Sequence, residues 1–186
     1  MESEELLIPE ERAELLRVAR KAIAEKLGGV TWKPDEPLTE RLAEVQGAFV
    51  TLHLRGMLRG CIGYIMGVKP LYLTIAEMAR AAAFTDPRFP PLKEREFGKI
   101  DIEITVLSPL KKIYDPDKVV VGTHGLLVKR GPYQGVLLPQ VPVEQGWDRE
   151  TFLDHTCMKA GMRSGCWRDD DTEILVFTGE VFGEGE

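Results

Sequence analysis

The stretch Ala48 to Gly63, AFVTLHLRGMLRGCIG, reads as a β-hairpin. Val50, Leu52 and Leu54 alternate with Phe49, Thr51 and His53, the period-two pattern of a half-buried strand. Arg55 and Gly56 turn the chain, and Leu58 to Met66 returns as the partner strand. In that return, LRGCIG places a guanidinium and a thiol two positions apart. An extended backbone puts Arg59 and Cys61 on one face and sends Leu58, Gly60 and Ile62 to the other. A thiol beside a fixed positive charge ionises more readily, which makes Cys61 a candidate reactive thiol. The plain alternative is a cysteine that serves as a small buried hydrophobe.

Outward from the hairpin, the pattern alternates helix and strand. Pro9 to Leu27 is predicted as a helix, with Leu16, Ala19, Ile23 and Leu27 on one stripe and Gly28 and Gly29 ending it. A short helical turn is expected around Leu38 to Val45, and a second long helix over Pro70 to Phe84. FTDPRFPPL follows as an irregular loop, because its prolines remove donors and fix the backbone, and it holds Asp86 and Arg88 stiffly. Lys93 to Gly98 has room for one turn before the strand IDIEITVL. The second half repeats this order: Gly56 and Gly60 recur as Gly131 and Gly135, both 75 positions on. At that offset Leu52 meets Leu127, Ile62 meets Leu137, Met78 meets Leu153 and Ala82 meets Cys157, and EILVFTGEVF stands where IDIEITVL stood. The expectation is an α/β (α+β) protein, one domain over residues 1–186, with hairpin-helix-strand repeats at about 47–107 and 122–182.

Composition narrows the function classes. The 186 residues are 44% hydrophobic, enough for a full core, and the formal charge of −6 argues against a nucleic-acid surface. No run of about 18 apolar residues occurs, and the acidic start lacks the form of a leader, so a soluble, cytoplasmic protein acting away from membranes is expected. Cys61, Cys157 and Cys166 form an odd set without a CxxC pair, which points to free thiols in a reducing compartment and to no metal site. The chain has no asparagine, four glutamines and 29% charged residues, a composition that fits a thermophilic source.

Three segments carry polar groups on a backbone arranged to present them: LRGCIG, the glycine-flanked Gly122-Thr123-His124-Gly125, and the proline loop. Cys61 as nucleophile, His124 as its base and Glu103 as orienter or acid/base form the candidate catalytic set. Arg59, Gly60, Asp86, Arg88 and Gln140, which follows Pro139 in GVLLPQV, are the candidate ligand-binding residues. Plainer roles stand beside these: His124 as a turn residue, Glu103 as a solvated or arginine-paired carboxylate, Gln140 as a polar turn after a strand. No Walker loop, GxGxxG, GxSxG or HExxH is present.

GAFVTLHLRGMLRGCIG, FTDPRFPPL, IDIEITVLSPL, GTHGLLV, GVLLPQVPVEQGW and FLDHTCMKAGM, in this order, resemble the AMMECR family, with LRGCIG as its hallmark hexapeptide. The resemblance covers nearly the whole chain and implies a two-subdomain α/β fold with duplicated sheet and helix repeats. It names neither a reaction nor a cofactor. The system name AmmeMemoRadiSam implies Memo-type and radical-SAM protein partners; this chain lacks the CxxxCxxC ligands of the latter, so any iron–sulfur chemistry belongs to a partner. Two functional expectations follow. In one, a cleft between the repeats binds a small molecule or modified peptide group, with thiol-dependent chemistry at Cys61. In the other, the chain is a non-catalytic protein-interaction module anchored by Arg59.

Overall fold

The computed structural model describes residues 6–185. Helix α1 spans Pro9–Leu27, opens with a proline at its first position and has the Glu11 carboxylate accepting the Ile8 N–H. A 3-10 turn at Glu40–Ala43 leads into strands β1 (Ala48–Leu54) and β2 (Met57–Tyr64). Their two-residue connection has φ of 54° at Arg55 and 77° at Gly56, the doubly positive turn whose twist matches a hairpin. Next come α2 (Leu71–Phe84), α3 (Glu94–Phe97), β3 (Ile100–Leu107) and the short β4 (Lys111–Ile113). The rest is β5 (Gly125–Arg130), β6 (Tyr133–Leu137), α4 (Gln140–Gln145), α5 (Arg149–Lys159), β7 (Glu173–Phe177) and β8 (Gly179–Gly183). Among the described residues no helix is long and apolar enough to cross a membrane.

The chain divides into two compact units. The first runs through Leu107 and resumes at Glu180; its sheet has the order β2-β1-β3-β8. Helix α2 packs on β1 and β2, and α1 packs on α2 and β3. Between helices and sheet lie Val50, Leu52, Ile100, Ile102, Ile104 and Phe182, all buried beside Leu15, Ile23, Ile75 and Ala82. The second unit, Ser108–Gly179, has the order β4-β7-β5-β6, with α5 on β5 and β6. Its core sets Phe152 and Leu153 against Leu126, Ile174 and Val176.

Several sequence expectations need correction. EILVFTGEVF is two strands rather than one: β7 belongs to the second sheet, while β8 joins the first beside β3. The 75-residue offset holds for the glycines but slips by one in the preceding strand, since Gly60 lies opposite Leu52 and Gly135 opposite Val128. The extra residue is Arg59, a bulge between Leu58, which pairs with His53, and Gly60. Gln140 opens α4 instead of sitting in a turn after a strand.

The expectation of three free thiols is also overturned. Cys157, in the last turn of α5, and Cys166 form a disulfide, and Cys61 is the free cysteine. The chain doubles back between them through Gly161 and Gly165, both at positive φ, so a spacing of nine residues closes over a pair of fully buried sulfurs. Spacing alone conceals such a bond, and disulfides inside cells are a known exception among hyperthermophiles. Titration of the unfolded chain without reductant is therefore expected to detect one thiol, and three after reduction.

Both hairpins need a glycine where a helix backbone arrives. A Cβ on Gly60 would lie 2.1 Å from the Ala82 carbonyl oxygen in α2, and one on Gly135 would lie 2.4 Å from the Ala160 nitrogen. Neither obstacle is a flexible side chain. Gly60→Ala is expected to lower stability by about 3 kcal/mol, read as a shift in the urea midpoint, because overpacking against backbone forces the helix off the sheet.

Candidate functional site

The bulge at Arg59 breaks the alternation on which a shared face for Arg59 and Cys61 depended. Leu58 pairs with His53 and Cys61 with Thr51, so these lie on the sheet face away from α2, while Gly60 lies under the helix. Arg59 is 7% exposed. Its guanidinium forms two hydrogen bonds to the Glu96 carboxylate, at 3.1 and 3.2 Å, and donates to the Pro90 carbonyl at 2.9 Å. Arg59 thereby ties β2 to α3 and the proline loop, and holds the Glu96 carboxyl below its usual range. A side chain so deeply enclosed offers little surface to a partner, although its buried Nη1 has no hydrogen-bond partner among the described residues. Gly60 likewise has its Cβ direction filled by α2, which accounts for the glycine by packing alone.

Cys61 is clamped by its backbone. β2 is an edge strand, and its unpaired side faces the loop after α2. The Asp86 carboxylate accepts the Cys61 N–H at 3.0 Å, and the Arg88 guanidinium reaches the Cys61 carbonyl at 3.4 Å. The same carboxylate accepts the Arg88 N–H at 3.0 Å and two guanidinium bonds at 3.1 and 2.8 Å. The local sequence dictates this shape. Pro87 keeps Asp86 extended, and an aspartate folds onto the N–H two residues ahead in an Asx turn. Asp86 is buried, whereas the Arg88 side chain is 55% exposed. The Arg88 guanidinium, reinforced by the N–H groups of Cys61 and Arg88, holds the Asp86 carboxyl far below the usual carboxylate range against the opposing cost of burial. Phe89 packs beside both cations, its ring centre 5.9 Å from Arg59 and 5.5 Å from Arg88.

The side chain of Cys61 is half-buried, and the Thr51 hydroxyl donates to its sulfur at 3.2 Å. Thr51 also pairs with Glu103 on its other side, so Cys61, Thr51 and Glu103 form one row across three strands. Glu103 is half-buried. Toward the hairpin turn, the next row on this face is Leu58, His53 and Asp101. On the helix side of the same strand, a groove of about 470 Å³ is lined by Ile62, Tyr64, Met78, Ala81 and Phe84.

The model of the AMMECR1 family matches residues 16–182. The chain belongs to the AMMECR1 family. This AMMECR1-family chain is 46% identical to a protein of Methanopyrus kandleri over 98% of its own length and 92% of the relative's. It is 42% identical to one of Nanoarchaeum equitans, over 91% of this chain and 98% of that one. The crystal structure of an uncharacterized Pyrococcus horikoshii protein superposes with a TM-score of 0.85 at 42% identity, covering 96% of this chain and 93% of the other.

The second unit of this AMMECR1-family chain holds the two remaining candidates. His124 closes a turn: its Nδ1 accepts the Val120 N–H at 3.0 Å, and its own N–H bonds the Val120 carbonyl at 2.9 Å. A neutral imidazole has a single acceptor nitrogen, and here the turn uses it. Gln140 is exposed at the start of α4. Cys61 and Glu103 belong to the first unit and His124 to the second. His53 carried no signal in the sequence beyond its place in a strand; only the pairing of β1 with β2 and β3 sets it beside the Cys61 row.

The clamp predicts an acid-side stability loss. A carboxyl whose folded pKa is depressed contributes fully above its unfolded pKa of about 3.9, and the contribution disappears as pH falls through the lower folded value. Urea denaturation from pH 7 down to 2.5 is expected to show wild-type stability falling below about pH 4. Asp86→Asn flattens that fall and costs roughly 1–3 kcal/mol at neutral pH, because a buried acceptor for charged donors is lost.

Proposed function

We propose that this protein binds a small molecule or a modified peptide group at the Cys61 thiol, on the sheet face of the first unit, and that the sulfur takes part in chemistry on that group. One observation carries the reading: the backbone of Cys61 is fixed at both its N–H and its C=O, while its sulfur stays half-buried rather than sealed in the core. The Thr51 hydroxyl donates to the sulfur, and the partly exposed Arg88, paired with Asp86, stands next to the same residue. A thiolate so placed can attack an electrophilic carbon, or hold a group for transfer. The partners implied by the family resemblance, a Memo-type and a radical-SAM protein, fit as the proteins that supply or receive that group, with redox chemistry residing in the latter.

A second reading, a protein-interaction module, draws on a different observation. Met57 and Leu58, at the head of β2, are 74% and 43% exposed, and Met66 and Val68 just beyond the strand are 62% and 61% exposed. In that reading these apolar residues would take the anchoring role that buried Arg59 cannot.

Iodoacetamide labelling of the non-reduced protein separates the two. The thiol reading expects native Cys61 to alkylate faster at pH 7 than the same cysteine in the urea-unfolded chain, and Asp86→Asn to slow it severalfold. Native labelling slower than in the unfolded chain removes the thiol reading. Met57→Ser with Leu58→Ser is expected to leave the labelling rate unchanged, and loses a binding partner only under the interaction reading.

A further inference from the structure

We infer that His53, on the same sheet face as Cys61, is the group that takes the thiol proton, with Asp101 opposite it holding the resulting imidazolium. This rests on the thiol reading above and supplies the base that reading lacks, since the acceptor nitrogen of His124 is already used by its own turn.

Strand register is the warrant. His53 and Thr51 are alternate residues of β1, so both project from the face away from α2; both are half-buried, while Val50 and Leu52 between and beside them are fully buried. Cys61 lies directly opposite Thr51. His53 is therefore diagonal to Cys61, a relation that puts Cβ atoms about 7–8 Å apart, within reach of a ring on one side and a sulfur on the other. The bulge matters here. It tucks Arg59 toward Glu96 and leaves the neutral Leu58 opposite His53.

The charges around this pair are few and come from known elements. Asp101 pairs directly with His53 on β3 and is also attracted to Arg20 of α1, and Glu103 lies one row along opposite Thr51. From the loop after α2, Arg88, whose pKa is raised first of all by its hydrogen bond to Asp86, reaches the Cys61 carbonyl. Two carboxylates lie on the imidazole side, where they favour a positive ring, and on the sulfur side Arg88 is matched by Asp86. In the step itself the S–H bond of Cys61 breaks, the proton forms an N–H bond on the ring directly or through one water, and the electron pair remains on sulfur. No oxidant or further reactant is required.

The test is the pH profile of Cys61 alkylation by iodoacetamide in the non-reduced full chain. His53→Gln is expected to slow the reaction about tenfold at pH 7 and to converge with wild type above about pH 9.5, where hydroxide ionises the thiol unaided. Asp101→Asn should move the profile the same way by a smaller amount, and His124→Gln should leave it unchanged. A His53→Gln profile superimposed on wild type overturns the inference, as does a His124→Gln profile that reproduces the loss. If His53→Gln does not fold, Asp101→Asn decides: a displaced profile supports the role of His53 and a superimposed one overturns it. Wild-type Cys61 that reacts no faster than in the unfolded chain defeats the thiol reading itself; a fast wild type indifferent to His53 defeats only the assignment of the base.

Discussion

The LRGCIG strand depends on one buried carboxylate. β2 is an edge, and an edge strand offers unpaired N–H and C=O groups that water or another chain will take. Asp86 and Arg88 occupy those groups at Cys61, so the loop after α2 acts as a short substitute for a neighbouring strand. The arrangement is affordable because Asp86 is neutralised within two residues by Arg88 and accepts four hydrogen bonds over its two oxygens, one from Cys61 and three from Arg88. A carboxylate buried without those partners would be costly enough to protonate or to move.

Around this clamp the hexapeptide divides its labour residue by residue. Gly60 admits the backbone of α2, Arg59 binds the proline loop and α3 through Pro90 and Glu96, and Ile62 faces the apolar side of the sheet. Those three make the strand rigid. Cys61 keeps its thiol on the partly open face, next to the Thr51 hydroxyl. The neighbours of Cys61 in the hexapeptide thus hold the strand in place through packing and hydrogen bonds.

The two units solve the same packing problem by related means. In each, a hairpin and a following strand lie in the order β2-β1-β3 or β6-β5-β7, and a glycine in the hairpin's second strand lets a helix backbone approach. They differ where function is proposed: the first hairpin carries the bulge at Arg59, whereas the second runs in unbroken register from Leu126 to Arg130. The second unit instead carries the Cys157–Cys166 disulfide, which pins the turn after α5.

Local signals in the sequence determined the elements. Proline and glycine punctuation set α1 at Pro9–Leu27, and strict alternation set β3 at Ile100–Leu107, because helix ends and strand faces follow from nearby backbone chemistry. The family was legible too, from motifs spread along the chain. Only the tertiary structure decided which side chains meet. The bulge that separates Arg59 from Cys61, the transfer of β8 to the first sheet, the closure of Cys157 on Cys166 and the row joining Cys61, Thr51 and Glu103 all depend on long-range register and packing. A single inserted residue reverses every face beyond it, and no periodicity within one strand records how its neighbour is aligned.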